Sequence, residues 1–164
     1  MPADWRCVVL VPDVPSGLSG TDEEEAFGKL PPPPAELVAS IAHLVLMVVL
    51  PALVEEDIDA FGQGITEVQR LAGEMFLPVV GGRFAHARVA ELVDALLAEG
   101  AAGAGQSSWG PAVYGLFKGD DAAARVAERF AARLGGRGRA FATSFNNTGA
   151  RCRAKRIPSD PSRR

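Results

Sequence analysis

Apolar and polar positions along the chain fall into short runs with two different periods. Trp5 to Val11 is a β-branched apolar run closed by Pro12 and predicts a strand. Residues 12–20 hold Pro12, Pro15, Gly17 and Gly20 and predict a loop. Thr21, with Glu24 three residues on and acids from Asp22 to Glu25, reads as a capping box opening a short helix to about Leu30. Pro31 to Pro34 stop it as a rigid connector. A second helix is expected over 35–54, with a kink or break at Pro51. A third runs from about Asp57 to Phe76, where Ile58, Phe61, Ile65, Val68, Ala72 and Met75 recur at steps of three and four and Pro78 marks the end. Gly62, Gly64 and Gly73 weaken it by roughly 1 kcal/mol each relative to alanine, which is tolerated where another backbone packs close.

Val89, Leu92, Val93, Leu96 and Leu97 mark a helix over about 86–99, stopped by Gly100. Residues 101–107 and 112–117 read as strands, the second turned by Lys118-Gly119-Asp120. Val126, Phe130 and Leu134 give a helix over 121–134, ended by Gly135 and Gly136. A last strand follows from Arg139 to Phe145, then the polar turn Asn146-Asn147-Thr148-Gly149. The order strand, helices, two strands, helix, strand is an α+β pattern. It predicts an antiparallel sheet of about four strands in a ferredoxin-like arrangement, with helices packed on one face.

The stretch from Leu37 to Val54 is apolar enough to raise a membrane span. Ser40, His43 and Pro51 interrupt it, Glu55, Glu56 and Asp57 follow it, and no lysine or arginine flanks it closely. The expectation is a buried core helix and no membrane, with His43 in the core or at a domain interface. Composition agrees: 48% hydrophobic and 23% charged residues are ordinary for a globular domain. The start, Met1 to Arg6, lacks the basic segment and apolar run of a signal peptide, so a cytoplasmic chain is expected. Cys7 and Cys152 form no metal-type cluster or CxxC pair and are expected as free thiols.

A net charge of −3 gives no general attraction to nucleic acid. The balance is uneven: Arg151, Arg153, Lys155, Arg156, Arg163 and Arg164 against Asp160 give the end a net of +5 and leave the rest near −8. This reads either as a solvated basic tail, with 154–164 disordered, or as Arg151 and Arg153 helping to hold an anionic substrate.

The segment Gly103 to Pro111, GAGQSSWGP, carries the strongest chemical signal. Gly103, Gly105 and Gly110 allow close backbone approach or positive φ, while Gln106, Ser107 and Ser108 supply neutral donors. Exposed amides with hydroxyls hold phosphate without a charge, and Trp109 offers a flat apolar surface for a ring. A tight structural turn is the alternative. Gly17, Ser19 and Gly20 form a second small-residue loop suited to closing over such a site. The only histidines are His43 and His86, and no general base or catalytic residue is assigned.

The run GAGQSSWGPAVYGL, residues 103–116, resembles the glycine-rich third motif of the β-ribofuranosylaminobenzene 5′-phosphate synthases of the GHMP superfamily. PDVPSGLSGTDEEEAFGKLP, LPALVEEDIDAFGQGITEVQRLAGEMF, GGRFAHARVAELVDALLAEG and SFNNTGAR resemble further segments of these enzymes in the same order, over residues 3–153. The resemblance implies a GHMP carboxy-terminal domain over 1–153. It implies condensation of phosphoribosyl pyrophosphate with 4-aminobenzoate or 4-hydroxybenzoate, releasing carbon dioxide and pyrophosphate, in tetrahydromethanopterin biosynthesis. Mg²⁺ is expected, held by substrate phosphates and a carboxylate or two, and ATP is not.

On that reading Gly103, Gly105, Gln106, Ser107, Ser108, Trp109 and Gly110 grip phosphate or sugar. Arg83 pairs with phosphate or the benzoate carboxylate, and Asn146 and Asn147 bind ribose hydroxyls. The resemblance also implies an amino-terminal domain with a Pro-x-x-x-Gly-Leu-Gly-Ser-Ser phosphate loop. Pro15 to Gly20 lacks the Gly-Ser-Ser order, so that half is expected as a missing partner, with a homodimer also among the expected assemblies. A GHMP-type small-molecule kinase and a non-catalytic binding or dimerisation module are the competing readings.

Overall fold

A computed structural model describes residues 1–84, 86–150 and 152. Four strands, β1 (Trp5–Pro12), β2 (Gly103–Gln106), β3 (Val113–Lys118) and β4 (Gly138–Ser144), form one sheet in the order β2-β3-β1-β4, every pair antiparallel. This is the expected α+β, ferredoxin-like sheet. β1 lies centrally, with Val8 opposite Gly115 on one side and Ala142 on the other. The basic tail, Arg151 and Arg153 included, lies outside the described residues.

Period-two alternation sorts β1 onto two faces. Val8 and Leu10, with Ala104, Val113 and Phe117, meet α5 (Ala87–Ala98) and α6 (Asp120–Leu134). Val89, Leu92 and Leu96 of α5 are fully buried there, each worth roughly 1.5–3 kcal/mol. Besides these stacked helices, α4 (Ile58–Val80) crosses part of the other face. There Ile58 and Phe61 pack with Trp5 and Leu116. Gly62 of α4 and Gly103 of β2 touch backbone to backbone: a Cβ on Gly103 would lie 2.2 Å from the Gly62 carbonyl oxygen. The helix glycines therefore mark close approaches, as expected.

Four local expectations change. The first helix, α1 (Thr21–Lys29), starts one residue earlier than the capping box requires: Gly20 occupies the cap position with no side-chain cap bond, so Thr21 is already helical. Pro78 lies inside α4 instead of ending it. It forfeits only one late backbone bond, and left-handed Gly81 (φ 73°) closes the helix by donating to the Leu77 carbonyl. His86 caps α5, its Nδ1 accepting from the Arg88 amide at 2.9 Å.

The fourth concerns the apolar segment. α2 (Ala35–Leu44), a π-helical turn (Val45–Val49) and α3 (Leu50–Val54) make one helix long and apolar enough to cross a membrane by length and composition. The expected kink at Pro51 is a π turn just before it, where the Leu50 amide reaches back to Val45. The buried core helix is not found. Only 11% of the apolar window is buried, His43 is exposed, and Leu46, Met47 and Val54 face outward at 61%, 63% and 82% exposure. Val49 and Ala52 are the helix's buried core residues, with Leu53 packed partly buried beside them, because only one side of the helix meets α4 and Trp5.

The rest of the second sheet face is an open apolar hollow of about 480 Å³, bordered by Met1, Cys7, Val9, Tyr114 and Phe145. Burial pushes the Cys7 thiol up to about 11 and the Tyr114 phenol up to about 12. The reactive species is the thiolate, so at pH 8 Cys7 is expected to react about a hundredfold more slowly than an ordinary thiol. A thiol-exchange time course should show fast labelling at exposed Cys152 and slow labelling at Cys7, the latter accelerating about tenfold per pH unit up to pH 10. Two fast phases at pH 8 would contradict this burial.

Candidate functional site

The β2–β3 hairpin carries the glycine-rich segment beyond the end of the sheet. The Ser107 amide donates to Ala112 at 2.9 Å and the Gly110 amide to Ser107 at 2.9 Å, so two of the amides expected for a ligand are used by the turn itself. The amides of Ser108 and Trp109 have no acceptor among the described residues. Ser108 adopts φ 50°, a left-handed conformation costing a non-glycine residue roughly 1–2 kcal/mol. Gln106 Nε2 donates to its carbonyl at 2.7 Å and helps hold it there.

Beside the turn lies a cavity of about 240 Å³ lined by Glu23 and Phe27 of α1, Gln69, Ala72, Gly73 and Phe76 of α4, Gly82 and Arg83, and Gln106, Ser108 and Trp109. Each element has a reason to be there. Gly73 lets the chain after α4 fold back: a Cβ on it would meet Arg83 Cγ at 2.8 Å. Gly17 lets the proline-rich loop rest on the turn, since a Cβ there would overlap the Trp109 carbonyl at 1.8 Å. Trp109 holds α1 in place. Its Nε1 donates to Glu23 Oε1 at 2.5 Å, and its ring meets Phe27 and Phe76 edge-on at 5.6 and 5.0 Å between centroids.

The structure thus brings Arg83, Gln106, Ser108 and Trp109 around one cavity and distributes the other expected residues elsewhere. Trp109 is only 9% exposed and its ring is engaged by two phenylalanines, so it anchors α1 and offers no open stacking surface. Gly103 is pressed against Gly62, and Gly105 lies beneath Tyr114 and Gln69; both are buried strand positions that serve packing. Ser107 turns to the opposite side and borders the apolar hollow. Gly110, at φ 74°, sits against the Gln106 side chain and shapes the turn.

Asn146 and Asn147 are remote from the polar cavity. Asn146 Oδ1 accepts from the Thr148 amide at 2.9 Å, and Asn147 clamps the chain start: the Met1 amino group donates to its Oδ1 at 3.0 Å, and its Nδ2 donates to the Met1 carbonyl at 2.8 Å. Of the closing loop, Gly17 does lie over the turn.

Glu23, Phe27, Gln69 and Phe76 were not singled out from the sequence. A signal existed: Gln69, Ala72, Gly73 and Phe76 sit at i, i+3, i+4 and i+7, a helical stripe that mixes polar, small and aromatic residues and shares Ala72 with the apolar one, and Glu23 and Phe27 share a face at i and i+4. No group of three or more acidic, histidine or cysteine side chains suited to a metal occurs among the described residues.

The family "GHMP kinases C terminal" matches residues 49–136. Beta-ribofuranosylphenol 5′-phosphate synthase of Methanothermobacter thermautotrophicus is 33% identical over 156 residues, covering 91% of this chain and 43% of the relative. The protein of the same name from Archaeoglobus fulgidus is 36% identical over 118 residues, covering 69% of this chain and 33% of its own length. Homoserine kinase from Cytophaga hutchinsonii superposes with a TM-score of 0.60 at 15% identity, over 87% of this chain and 42% of its own, a likeness of fold. The chain therefore spans less than half the length of these proteins. Its four-stranded antiparallel sheet, the glycine turn and a match over more than half of its residues agree: the chain belongs to the GHMP kinase family through that family's carboxy-terminal domain.

Proposed function

We propose that this chain forms the carboxy-terminal half of a synthase that joins phosphoribosyl pyrophosphate to a 4-substituted benzoate, releasing carbon dioxide and pyrophosphate, in the cytoplasm and on the route to tetrahydromethanopterin. The relatives' name denotes a phenol product, which favours 4-hydroxybenzoate over 4-aminobenzoate. In this reaction the bond from ribose C1′ to pyrophosphate oxygen breaks and the pyrophosphate leaves with the electron pair. The ring carbon bearing the carboxylate attacks C1′, and loss of carbon dioxide returns its bonding pair to the ring. The protein's task is to steady a departing polyanion and an oxocarbenium-like sugar.

The observation that carries this reading is the cavity that brings Arg83 together with Gln106, Ser108 and Trp109, the last two with amides that the turn itself does not use. Arg83 supplies positive charge and a planar fork of donors for phosphate, and the Ser108 and Trp109 amides supply neutral donors. A volume of about 240 Å³ is below the few hundred to a thousand of a complete small-molecule site, so the cavity seats one end of the substrate. The remaining wall belongs to the amino-terminal half, and the uncovered apolar face at Leu46, Met47 and Val54 is the surface we assign to it.

The test joins this chain to a GHMP amino-terminal half bearing the Pro-x-x-x-Gly-Leu-Gly-Ser-Ser loop. It measures carbon dioxide release from carboxyl-labelled 4-hydroxybenzoate with phosphoribosyl pyrophosphate. Release is expected without ATP. Arg83→Ala should lower kcat/KM for phosphoribosyl pyrophosphate by roughly 10- to 150-fold, the loss of one charged hydrogen-bonding partner. Turnover only with ATP, or none from the joined protein, would sink the proposal.

A further inference from the structure

Two opposite charges stand on the wall of the same cavity. Glu23 comes from α1, and Arg83 comes from the segment after α4. Neither makes a salt-bridge contact among the described residues, although arginines such as Arg6, Arg70, Arg88 and Arg129 do; the Arg83 charge is felt by Glu67, whose carboxyl it helps to hold below the usual range after the larger effect of Arg70. The Glu23 carboxylate is held in place because one oxygen accepts from Trp109 Nε1 at 2.5 Å; its other oxygen has no hydrogen-bond donor among the described residues. Glu23 is half-buried while its neighbours Asp22, Glu24 and Glu25 are exposed.

A fixed carboxylate in a phosphate site is a contradiction in charge, because a metal-free diphosphate drawn to Arg83 would meet a like charge. A divalent cation removes the conflict. Mg²⁺ is commonly bound by one or two carboxylates together with substrate phosphates, keeping several of its waters. The donors present fit that pattern and do not fit a resident metal site, since no acidic, histidine or cysteine cluster of three occurs among the described residues.

We propose that Glu23 is the protein carboxylate that receives a divalent cation arriving with a diphosphate. The cavity then selects the metal–diphosphate complex over both the free anion and the free metal. The proposal rests on the phosphate reading of this cavity. Trp109 acts as a positioning residue for it: the hydrogen bond that anchors α1 also aims the carboxylate.

The test is ³¹P NMR of pyrophosphate titrated with the full chain, in Mg²⁺ and in chelator, with Mg²⁺ binding alone followed by calorimetry. The wild-type chain should bind the magnesium form at least tenfold more tightly than the free anion and show no measurable binding of Mg²⁺ alone. Glu23→Gln should weaken the magnesium form about tenfold and strengthen the free anion, erasing the preference. Glu23→Asp keeps the charge and should retain the preference, which separates the carboxylate's role from damage to α1. Arg83→Ala should weaken both forms alike. Equal binding of both forms by the wild-type chain, or an unchanged preference in Glu23→Gln, overturns the role of Glu23 while leaving the phosphate site standing. Binding of neither form overturns both.

Discussion

Gly103→Ala is expected to lower the stability of the isolated chain by at least about 3 kcal/mol, a fall in Tm of roughly 6–12 °C for a domain of this size. The added Cβ would lie 2.2 Å from the Gly62 carbonyl oxygen and 2.5 Å from its carbonyl carbon. Gly62→Ala meets the mirror-image obstacle, with the Ala102 carbonyl carbon and oxygen both at 2.3 Å. Flexible side chains can swing away from such an intrusion, but these neighbours are backbone atoms of α4 and of the chain as it enters β2. Relief requires the helix to lift from the sheet, taking Ile58 and Phe61 away from Trp5 and Leu116. Because both substitutions open the same crossing, the double variant should lose less than the sum of the two. Gly28→Ala is the control: nothing lies within 4 Å of its Cβ, and alanine in a helix is favoured over glycine by about 1 kcal/mol. Thermal unfolding of the four variants checks this, and a Gly103→Ala chain melting with the wild type would show that α4 does not press on β2.

The fold was largely legible in the sequence because its signals are local. Val8 and Leu10 alternate on β1, Val89, Leu92 and Leu96 repeat on α5, and Gly135 ends α6 in a left-handed conformation. Each of these follows from one stretch of chain. The misreadings arose where local rules meet tertiary context. An apolar run from Leu37 to Val54 says that water is unfavourable around it, but whether this chain or another surface provides the cover is not encoded in the run. Pro78 forbids one hydrogen bond, and in the last turn of α4 that is too small a penalty to stop a helix held by other contacts.

The site was legible only at its centre. Gln106, Ser108 and Trp109 stand out because glycines surround them, and Arg83 because it follows Gly81 and Gly82. A glycine has two meanings in sequence, however: room for a ligand or room for another backbone. At Gly103, Gly105 and Gly17 the neighbour is protein. Similarly, a tryptophan beside serines reads as a platform, and only the positions of Phe27 and Phe76 reveal it as an anchor. Contacts across 86 residues, such as Glu23 with Trp109, have no one-dimensional signature.

That anchor gives the second large effect. Trp109→Ala is expected to release α1 while leaving the two cores intact. Trp109 belongs to neither core cluster, whereas α1 buries only Ala26 and otherwise depends on the Trp109–Glu23 hydrogen bond and the contacts of Phe27. Removing a buried tryptophan costs about 3–5 kcal/mol, and here most of that loss falls on a unit able to open by itself. Amide exchange in residues 21–29 should therefore accelerate by roughly 100- to 1,000-fold, with α5 and α6 nearly unchanged. Tryptic cleavage after Lys29 should rise in parallel. Trp109→Phe retains ring contacts with Phe27 and Phe76 but loses the donor to Glu23. A hydrogen bond to a charged acceptor is worth about 1.5–3 kcal/mol, so exchange in α1 should rise roughly 10- to 150-fold. The ordering Ala above Phe above wild type, confined to α1, distinguishes an anchor from a general packing residue. Equal acceleration across α5 and α6 would instead make Trp109 part of the common core.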